Sequence, residues 1–573
     1  MNTSIQLRSH LASLNRKSYP AYKSLRGSYD FQQYILHIEH VQGDPFASPS
    51  NVRIFVSHRK AGFPQEYYQE NHTRIALEDY LTRRMEQELT PHSFQAKGSG
   101  KSGILRITHC GQEILERTAC SIDADGIHVR FEIGFPANGR TINAPELDKI
   151  LFQILPGCVT RALYYKNQNP DKVRQVFELA EDQHFIRLEL SRLHLSAFIA
   201  DGSILPRQSG VSDFPMKNGI SFSSPDSLRV SLNLPHKGTL SGMGIPQGVT
   251  LIVGGGYHGK STLLQALEMG VYNHIAGDGR EYVITDSSAL KIRAEDGRHI
   301  QEIDISLFIN DLPNKKDTHC FTSLDASGST SQAANIVEGL YGASRLFLID
   351  EDTSATNFMV RDEMMQTLIS RKKEPITPFL ERIREIYEQA GCSTILVAGS
   401  SGAFFHKADT IIQMDSYRPY DITEKAKQLC AKYPLPKTEK NPYVQPKDLR
   451  TPVLAPSARS GQRGRNQDRM KLKVLSRDSF SLNRETVDLR YVEQLADMEQ
   501  TNALGHILRY TLENLADGKR SFPSIIQALE NLLGKKGLEG LFDTSVVPGN
   551  LAMPRVEEIR CCLNRYRGWK LPH

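Results

Sequence analysis

The first third of the chain mixes two hydrophobic periods. Apolar and polar residues alternate in three runs that predict half-buried β-strands, at residues 51–58, 102–108 and 127–133. Helical spacing predicts two shorter helices and one long, charge-rich helix, at residues 75–89, 145–155 and 172–193. This mixture predicts an α+β N-terminal domain over residues 1–195.

The pattern changes in the middle of the chain. Over residues 196–430, short apolar strands alternate with amphipathic helices, which is typical of an α/β domain with a parallel sheet. Residues 431–475 are rich in Pro, Lys, Arg, Ser and Gly and keep no apolar period, so we interpret them as a flexible or surface-hugging segment. Residues 476–573 return to helical spacing and predict a small helical C-terminal region, with helices at residues 491–515, 522–533 and 555–566.

A glycine-rich loop supplies the strongest chemical signal. Residues 254–261 read GGGYHGKS, between an apolar strand run and a predicted helix. Backbone N–H groups and a helix N-terminus form a nest for phosphate in this arrangement, and glycines let the backbone approach the phosphates. We expect Lys260 to reach the β- and γ-phosphates and the Ser261 hydroxyl to bind Mg²⁺. The phosphate loop is then formed by Gly254, Gly255, Gly256, Tyr257, His258, Gly259, Lys260, Ser261 and Thr262.

A second stretch resembles this loop only superficially. Residues 98–103 read GSGKSG, but Gln95 stands where the first glycine of the motif belongs. The residues that follow alternate like a strand. We therefore favour a basic turn or a loop facing a substrate over a second nucleotide site.

Two adjacent acids end a buried strand. Residues 345–352 read RLFLIDED, so four apolar residues deliver Asp350 to the end of the strand and Glu351 follows it. Asp350 is placed to hold Mg²⁺ through water, and Glu351 to orient and deprotonate an attacking water. The pair favours hydrolysis over binding alone.

Composition narrows the class of protein. The 573 residues include 39% hydrophobic and 24% charged residues, with a formal net charge of +5, which fits a globular chain of several domains. No apolar stretch approaches a membrane span and no secretory leader is visible. The eight cysteines form no CxxC framework. We expect a cytoplasmic protein without membrane contact, with ATP and Mg²⁺ as its cofactors.

Several longer stretches resemble the family of predicted ATPases of the ABC class. They include HVQGDPFASPS at residue 40, GMGIPQGVTLIVGGGYHGKSTLLQALE at 242, LDASGSTSQAANIVEGL at 324 and FLIDEDTSATNFMVRD at 347. The resemblance covers nearly the whole chain and implies an α/β, ABC-type P-loop ATPase core between the N-terminal and C-terminal regions.

The resemblance also implies a nucleotide sandwiched between two subunits. Residues 326–332, ASGSTSQ, stand where the family has its signature, so we call them the signature segment. Ser327, Gly328 and Ser329 would then contact the γ-phosphate bound by another subunit. The chain has one phosphate loop and one signature segment, so a homodimer is expected. Residues 353–357 stand where the family has its dimer-crossing D-loop.

Three further family positions are left open. Ser400 or Ser401 could replace the histidine that senses the γ-phosphate in ABC transporters, and Gln301 lies at a plausible distance for the Q-loop. Phe222 could stack on adenine, although a core phenylalanine fits the pattern better.

Positive charge clusters in one segment. Between residues 459 and 477, the basic segment carries seven Lys or Arg residues: Arg459, Arg463, Arg465, Arg469, Lys471, Lys473 and Arg477. Such clusters attract phosphate backbones by counterion release. Our first hypothesis is therefore an ATPase that couples hydrolysis to binding or remodelling of RNA. The alternative is a nucleotide-dependent switch or scaffold acting on a protein complex.

Overall fold

The structure is a computed structural model that describes residues 1–361, 374–399, 401–434, 442–454, 470–544 and 546–571. It divides into two compact units. The first contains Met1–Glu181 and Lys536–Met553, and the second contains Asp182–Lys535 and Pro554–His573. The four-part division made from the sequence stays a prediction.

The first unit is built on a mixed sheet. Its strands follow the order Asn2–Thr3, Gly27–Asp30, Ile35–His40, Ser50–Ser57, Gly126–Ile133 and Leu105–Arg106, with Cys120–Ile122 also paired to Gly126–Ile133. Only the pair at the start of this order is parallel. Strict alternation of buried and half-buried residues along Ser50–Ser57 shows why this run forms a strand with one face in the core.

Helices cover this sheet. They span Ser4–Ser13, Asn71–Leu89 and Leu155–Leu163. The helix predicted at 145–155 is divided into Ala144–Asp148 and a π-helical turn over Lys149–Ile154 before Leu155–Leu163 begins. Pro156 lacks the N–H that would continue an α-helical ladder, and the π turn accommodates its loss. The long helix predicted at 172–193 spans Pro170–Arg192.

The second unit contains two main sheets. The first is antiparallel, in the order Arg229–Leu234, Gly238–Pro246, Leu195–Ala200 and Val283–Thr285. The second has six strands in the order Ala289–Ile292, Leu346–Asp350, Ser393–Val397, Val249–Val253, Thr410–Asp415 and Arg418–Asp421. All of its pairs are parallel except the final hairpin. Its near-continuous apolar strands are buried on both faces, as in α/β proteins.

Helices pack on the six-stranded sheet. They span Lys260–Met269, Gly328–Tyr341, Phe379–Ala390 and Thr423–Lys432. The sequence places Phe379, Ile383 and Ile386 on one face of Phe379–Ala390, and all three are fully buried. These elements confirm the predicted α/β fold class.

The C-terminal residues combine helices with strands. The helices span Met498–Asn514, Phe522–Lys536 and Val556–Arg565. An antiparallel sheet of Leu472–Ser476, Ser479–Leu482 and Glu485–Asp488 precedes them, which the sequence pattern did not predict.

Part of the segment interpreted as flexible or surface-hugging contacts helix Phe522–Lys536. Within residues 442–454, the Arg450 guanidinium lies 2.6 Å from Asp448 and stacks 4.4 Å from the centre of the Phe522 ring. The ion pair and the stacking contact hold this polar stretch in place, although its sequence has no apolar period. Among the helices that the structure describes, none has the length and apolar character needed to cross a membrane.

Candidate nucleotide-binding site

Three parallel strands bring the phosphate loop and the acid pair to one edge of the sheet. Strand Ser393–Val397 lies between Val249–Val253 and Leu346–Asp350, and Val397 is in register with both Ile252 and Asp350. Because neighbouring strands are about 4.8 Å apart, the ends of the two outer strands are about 10 Å apart. The phosphate loop begins directly after one of them and Asp350 ends the other.

Glycines allow the backbone of the phosphate loop to pass close to neighbouring backbone. Gly254 has φ +141°, and a Cβ placed there would lie 2.3 Å from the carbonyl oxygen of Met414. Gly259 has φ +96° at the start of helix Lys260–Met269. The Lys260 ammonium donates to the carbonyl oxygens of Gly254 and Gly255, each at 2.8 Å. The ammonium therefore lies across the concave side of the loop.

The loop is also tied to the neighbouring hairpin. The backbone N–H of Ser416 donates to Nδ1 of His258 at 2.9 Å, and Tyr417 N–H donates to the His258 carbonyl at 3.2 Å. Tyr257 has φ +64° and its side chain is exposed. Ser261 is exposed and Thr262 is half-buried in the first turn of the helix. The hydroxyl of Ser261 is therefore accessible to a ligand.

Asp350 is buried at its strand end. Its Oδ1 accepts from the N–H of Asp352 at 3.1 Å. Burial raises the pKa of its carboxyl, and the ammonium groups of Lys291 and Lys260 act in the opposite direction. A carboxylate beside a loop that can hold phosphate suits a divalent cation, because the carboxylate and the phosphate both offer oxygen ligands.

The Glu351 side chain is oriented by the backbone that follows the neighbouring strand, Ser393–Val397. Its Oε2 accepts from the backbone N–H of Gly399 at 2.6 Å. That contact fixes one carboxylate oxygen next to the loop where the sequence placed Ser400 or Ser401. Ser401 is half-buried, and Ser400 lies outside the described residues.

The signature segment begins a helix. Ser327 precedes Gly328–Tyr341, is exposed, and shares a 3.0 Å hydrogen bond with Thr330 through their hydroxyls. Ser329 is buried and donates to Oδ1 of Asn357 at 2.7 Å. A Cβ on Gly328 would lie 3.1 Å from Oδ1 of Asp296. Of the three predicted contact residues, Ser327 is the one that is exposed to solvent.

Three family models match the chain in consecutive segments. The model described as the N-terminal domain of ATPases of the ABC class matches residues 4–166, and the ABC ATPase P-loop domain matches residues 169–448. The chain belongs to the family of ATPases of the ABC class. A third model, the MRB1590 C-terminal domain, matches residues 471–572. As an ABC-class ATPase, the chain is a nucleotide-binding P-loop protein, which confirms the resemblance seen in the sequence.

A curated relative and two solved structures are similar to this ABC-class ATPase. The uncharacterized protein MJ1628 of Methanocaldococcus jannaschii is 29% identical over 294 residues, which cover 45% of this chain and 62% of the relative. The ADP conformation of MJ1267, an ATP-binding cassette of an ABC transporter, has a TM-score of 0.26 at 11% identity. CbiO1 from Clostridium perfringens, part of an ABC transporter complex, has a TM-score of 0.25 at 13% identity. Each structural likeness covers 42% of this chain and 96% of the other.

A buried glutamine of the signature segment adds a positioning contact in this ABC-class ATPase. Gln332 donates to Oγ of Ser354 at 3.0 Å and accepts from the N–H of Ala355 at 2.8 Å. The signature helix is thereby fixed to the residues that follow Glu351. In the sequence, Gln332 stood out only as the last residue of the signature segment.

A second positioning group comes from the C-terminal region and was missed in the sequence. The Gln494 side chain accepts from the N–H of Lys291 at 2.9 Å and donates to the Glu268 carbonyl at 3.1 Å. Lys291 in turn pairs with the Glu268 carboxylate. Residues at such sequence separation give no local signal that they meet.

Two positions left open by the sequence, Phe222 and Gln301, and the GSGKSG stretch lie outside the nucleotide site. Phe222 is 3% exposed, so it belongs to the core. Gln301 donates to the carbonyl of Trp569 at 3.1 Å. The GSGKSG stretch forms turns that lead into the short strand Leu105–Arg106, without the helix that a phosphate loop needs.

Proposed function

We propose that this ABC-class ATPase hydrolyses Mg²⁺-ATP in a site that two copies complete together. The register that joins Ile252, Val397 and Asp350 carries the proposal, because it sets the phosphate loop and the acid pair at one sheet edge. The donor set fits both cofactors: N–H groups and an ammonium for phosphate, and a hydroxyl and a carboxylate for magnesium.

Each residue of the site has a definite task in this proposal. Lys260 and the loop N–H groups bind the β- and γ-phosphates. Ser261 and Asp350 would hold Mg²⁺, which neutralises charge on the phosphates when it is bound. Glu351 accepts a proton from the attacking water, and its contact with the Gly399 N–H aims one carboxylate oxygen. The rest of the loop, Gly254, Gly255, Gly256, Tyr257, His258, Gly259 and Thr262, shapes the nest.

In this proposal, the second copy supplies the other side of the nucleotide-binding site. Ser327 is exposed at the start of its helix, whereas Ser329 is held inward by Asn357. Ser327 and the N–H groups of Gly328 and Ser329 would therefore contact the γ-phosphate held by the partner. Helix N-termini bind phosphate in this way. Homodimerisation on ATP follows from this division of the site.

We further propose RNA as the partner that hydrolysis serves. In the first unit, two exposed aromatic rings, Phe46 and Phe94, flank the loop that carries Lys101. The loop is joined to both, since Lys101 N–H donates to the Pro45 carbonyl and Phe94 N–H to the Gly103 carbonyl. Aromatic rings beside basic side chains favour single-stranded nucleic acid.

The basic segment gives further support. Lys471, Lys473 and Arg477 are exposed along or beside strand Leu472–Ser476. The other four basic residues of that segment, Arg459, Arg463, Arg465 and Arg469, lie outside the described residues.

The test is the steady-state ATPase rate with and without single-stranded RNA over a salt series. We expect RNA to stimulate hydrolysis and the stimulation to fade as salt rises. Phe46→Ala with Phe94→Ala should lose the stimulation, and Phe214→Ala, another exposed phenylalanine, should keep it. Hydrolysis that is indifferent to RNA would favour the protein-directed switch instead.

A further inference from the structure

A cavity next to the signature helix has no role in the site described above. It has a volume of about 320 Å³, within the range of small-molecule sites, and lies wholly inside the second unit. Its wall is formed by residues 295–299, strand Glu485–Asp488 with the residues up to Tyr491, and the end of helix Val556–Arg565. Four arginines and one histidine line it: Arg298, His299, Arg490, Arg565 and Arg567.

Buried donors in this wall lack acceptors. Arg298, His299 and Arg565 are each at most 7% exposed. The Nε groups of Arg298 and Arg565 have no hydrogen-bond partner within the part of the chain that is described. Nε of Arg298 is 4.0 Å from the Glu295 carboxylate, which is beyond hydrogen-bonding distance. Buried donors without partners are rare, so these two arginines keep unused hydrogen-bonding capacity behind the cavity wall.

Two exposed arginines at the opening of the cavity can form ion pairs with a ligand. Arg490 pairs with Asp488 at 2.7 Å, but both side chains are about half exposed, so the pair is weak. Arg567 is exposed and has no ion-pair partner among residues 1–361, 374–399, 401–434, 442–454, 470–544 and 546–571. Tyr491 and His299 add flat rings to the lining. Guanidinium groups beside aromatic rings match a phosphate joined to a base.

The same wall supports the signature helix. Glu295 N–H donates to the hydroxyl of Ser331 at 2.9 Å, and Asn335 donates to the Glu295 carboxylate at 2.9 Å. Asp296 lies against Gly328, as described above. A ligand that moves this wall would therefore act on the residues that reach the partner's nucleotide.

We propose that this cavity binds a nucleoside monophosphate unit, with its phosphate on Arg490 and Arg567 and its base beside Tyr491. The unit comes either from a free mononucleotide or from an RNA chain, and only the RNA source rests on the proposed function. This site is distinct from the phosphate loop at residues 254–261, because the two share no residue.

The experiment measures binding of adenosine 5′-monophosphate and of a ten-nucleotide RNA to the full chain by calorimetry. The Lys260→Ala background weakens the phosphate-loop site, so that the remaining binding reports the cavity. We expect Arg490→Ala with Arg567→Ala to weaken at least one of the two ligands about tenfold or more. Arg484→Ala, an exposed arginine outside the cavity lining, is the matched control and should leave both affinities unchanged.

Comparing the two ligands distinguishes a free mononucleotide from an RNA chain as the source of the bound unit. Loss confined to RNA assigns the cavity to an RNA chain, and loss confined to the mononucleotide assigns it to a free effector. Unchanged affinity for both ligands, no binding of either, or equal loss in Arg484→Ala would overturn the proposal. The steady-state ATPase rate of the double arginine variant without added ligand is expected to match the unmodified chain, so failure of the cavity and failure of the proposed ATPase are distinguishable.

Discussion

Oε2 of Glu351 lies 2.6 Å from the backbone nitrogen of Gly399, across the end of the strand that separates the two halves of the site. This hydrogen bond fixes one carboxylate oxygen of Glu351 beside the residues that follow strand Ser393–Val397. Its acceptor is charged, so it is stronger than a hydrogen bond between neutral groups.

Glu351→Gln tests that arrangement. The amide oxygen can still accept from Gly399, but glutamine cannot take a proton from water, so hydrolysis should fall about a hundredfold or more. Affinity for ATP should change less than about threefold, because Lys260 and the loop remain. Single-turnover hydrolysis and equilibrium binding measure the two quantities. Hydrolysis at the unmodified rate would show that another group is the base.

Gln332→Leu tests how the signature helix is positioned. The substitution removes both contacts with Ser354 and Ala355, and a small displacement of reacting groups costs about tenfold to a hundredfold in rate. Binding of ATP to one copy should be unchanged. Ser354→Ala is the comparison: it keeps the Ala355 contact but removes the Gln332 contact and the 2.8 Å hydrogen bond from the Ser354 hydroxyl to the Asp350 carbonyl. Equal ATPase rates in Gln332→Leu and the unmodified chain would exclude this positioning role.

Arg565→Ala tests the buried ion pair behind the signature helix. Arg565 pairs with Glu295, and the guanidinium groups of Arg565 and Arg298 hold the pKa of that carboxyl below its ordinary value despite burial. Removing one partner leaves a buried charge, so the free energy of unfolding should fall by about 3–5 kcal/mol. Chemical denaturation measures it. Arg565→Met combined with Glu295→Gln should be less destabilised than Arg565→Ala; greater destabilisation would contradict the pairing.

His37 predicts a pH dependence in the first unit. Burial, with Arg53 and His128, lowers the pKa of His37 from 6.5 to about 4. The unfolded chain therefore binds a proton at higher pH than the folded one, and stability is lost as pH falls from about 6.5 towards 4. Because the ring is only half-buried, screening limits the loss to about 1 kcal/mol. Protection factors of the amides along Ile35–His40, which correct for the intrinsic pH dependence of exchange, should fall over that range, and less so in His37→Asn. Identical pH profiles would contradict this assignment.

The local parts of the site were predictable from sequence. Strand Val249–Val253 matches its apolar run, and helix Lys260–Met269 begins where the glycines end. Asp350 ends its strand as predicted. These features depend on neighbouring residues, whose spacing the sequence displays directly.

Long-range contacts and short strands were not predictable. Gln494 meets Glu268 across 226 positions, and a glutamine carries no pattern that names its partner. The helix predicted from residue 491 begins at Met498, because Asp497 caps it. Of the strand predicted at 102–108, only Leu105–Arg106 forms, since Gly103 has φ +79° and continues the turn.

The central claim is that two copies complete each ATP site, and mixing two inactive variants tests it most directly. Lys260→Ala removes the ammonium group that binds phosphate in one copy. Ser327→Arg blocks the signature segment of the other copy. In a mixed dimer, the intact phosphate loop of the Ser327→Arg copy faces the intact signature of the Lys260→Ala copy. Random pairing should therefore restore roughly a quarter of the unmodified ATPase rate, whereas each variant alone is inactive. A mixture as inactive as its components, or a Ser327→Arg variant that is fully active alone, would contradict the shared site.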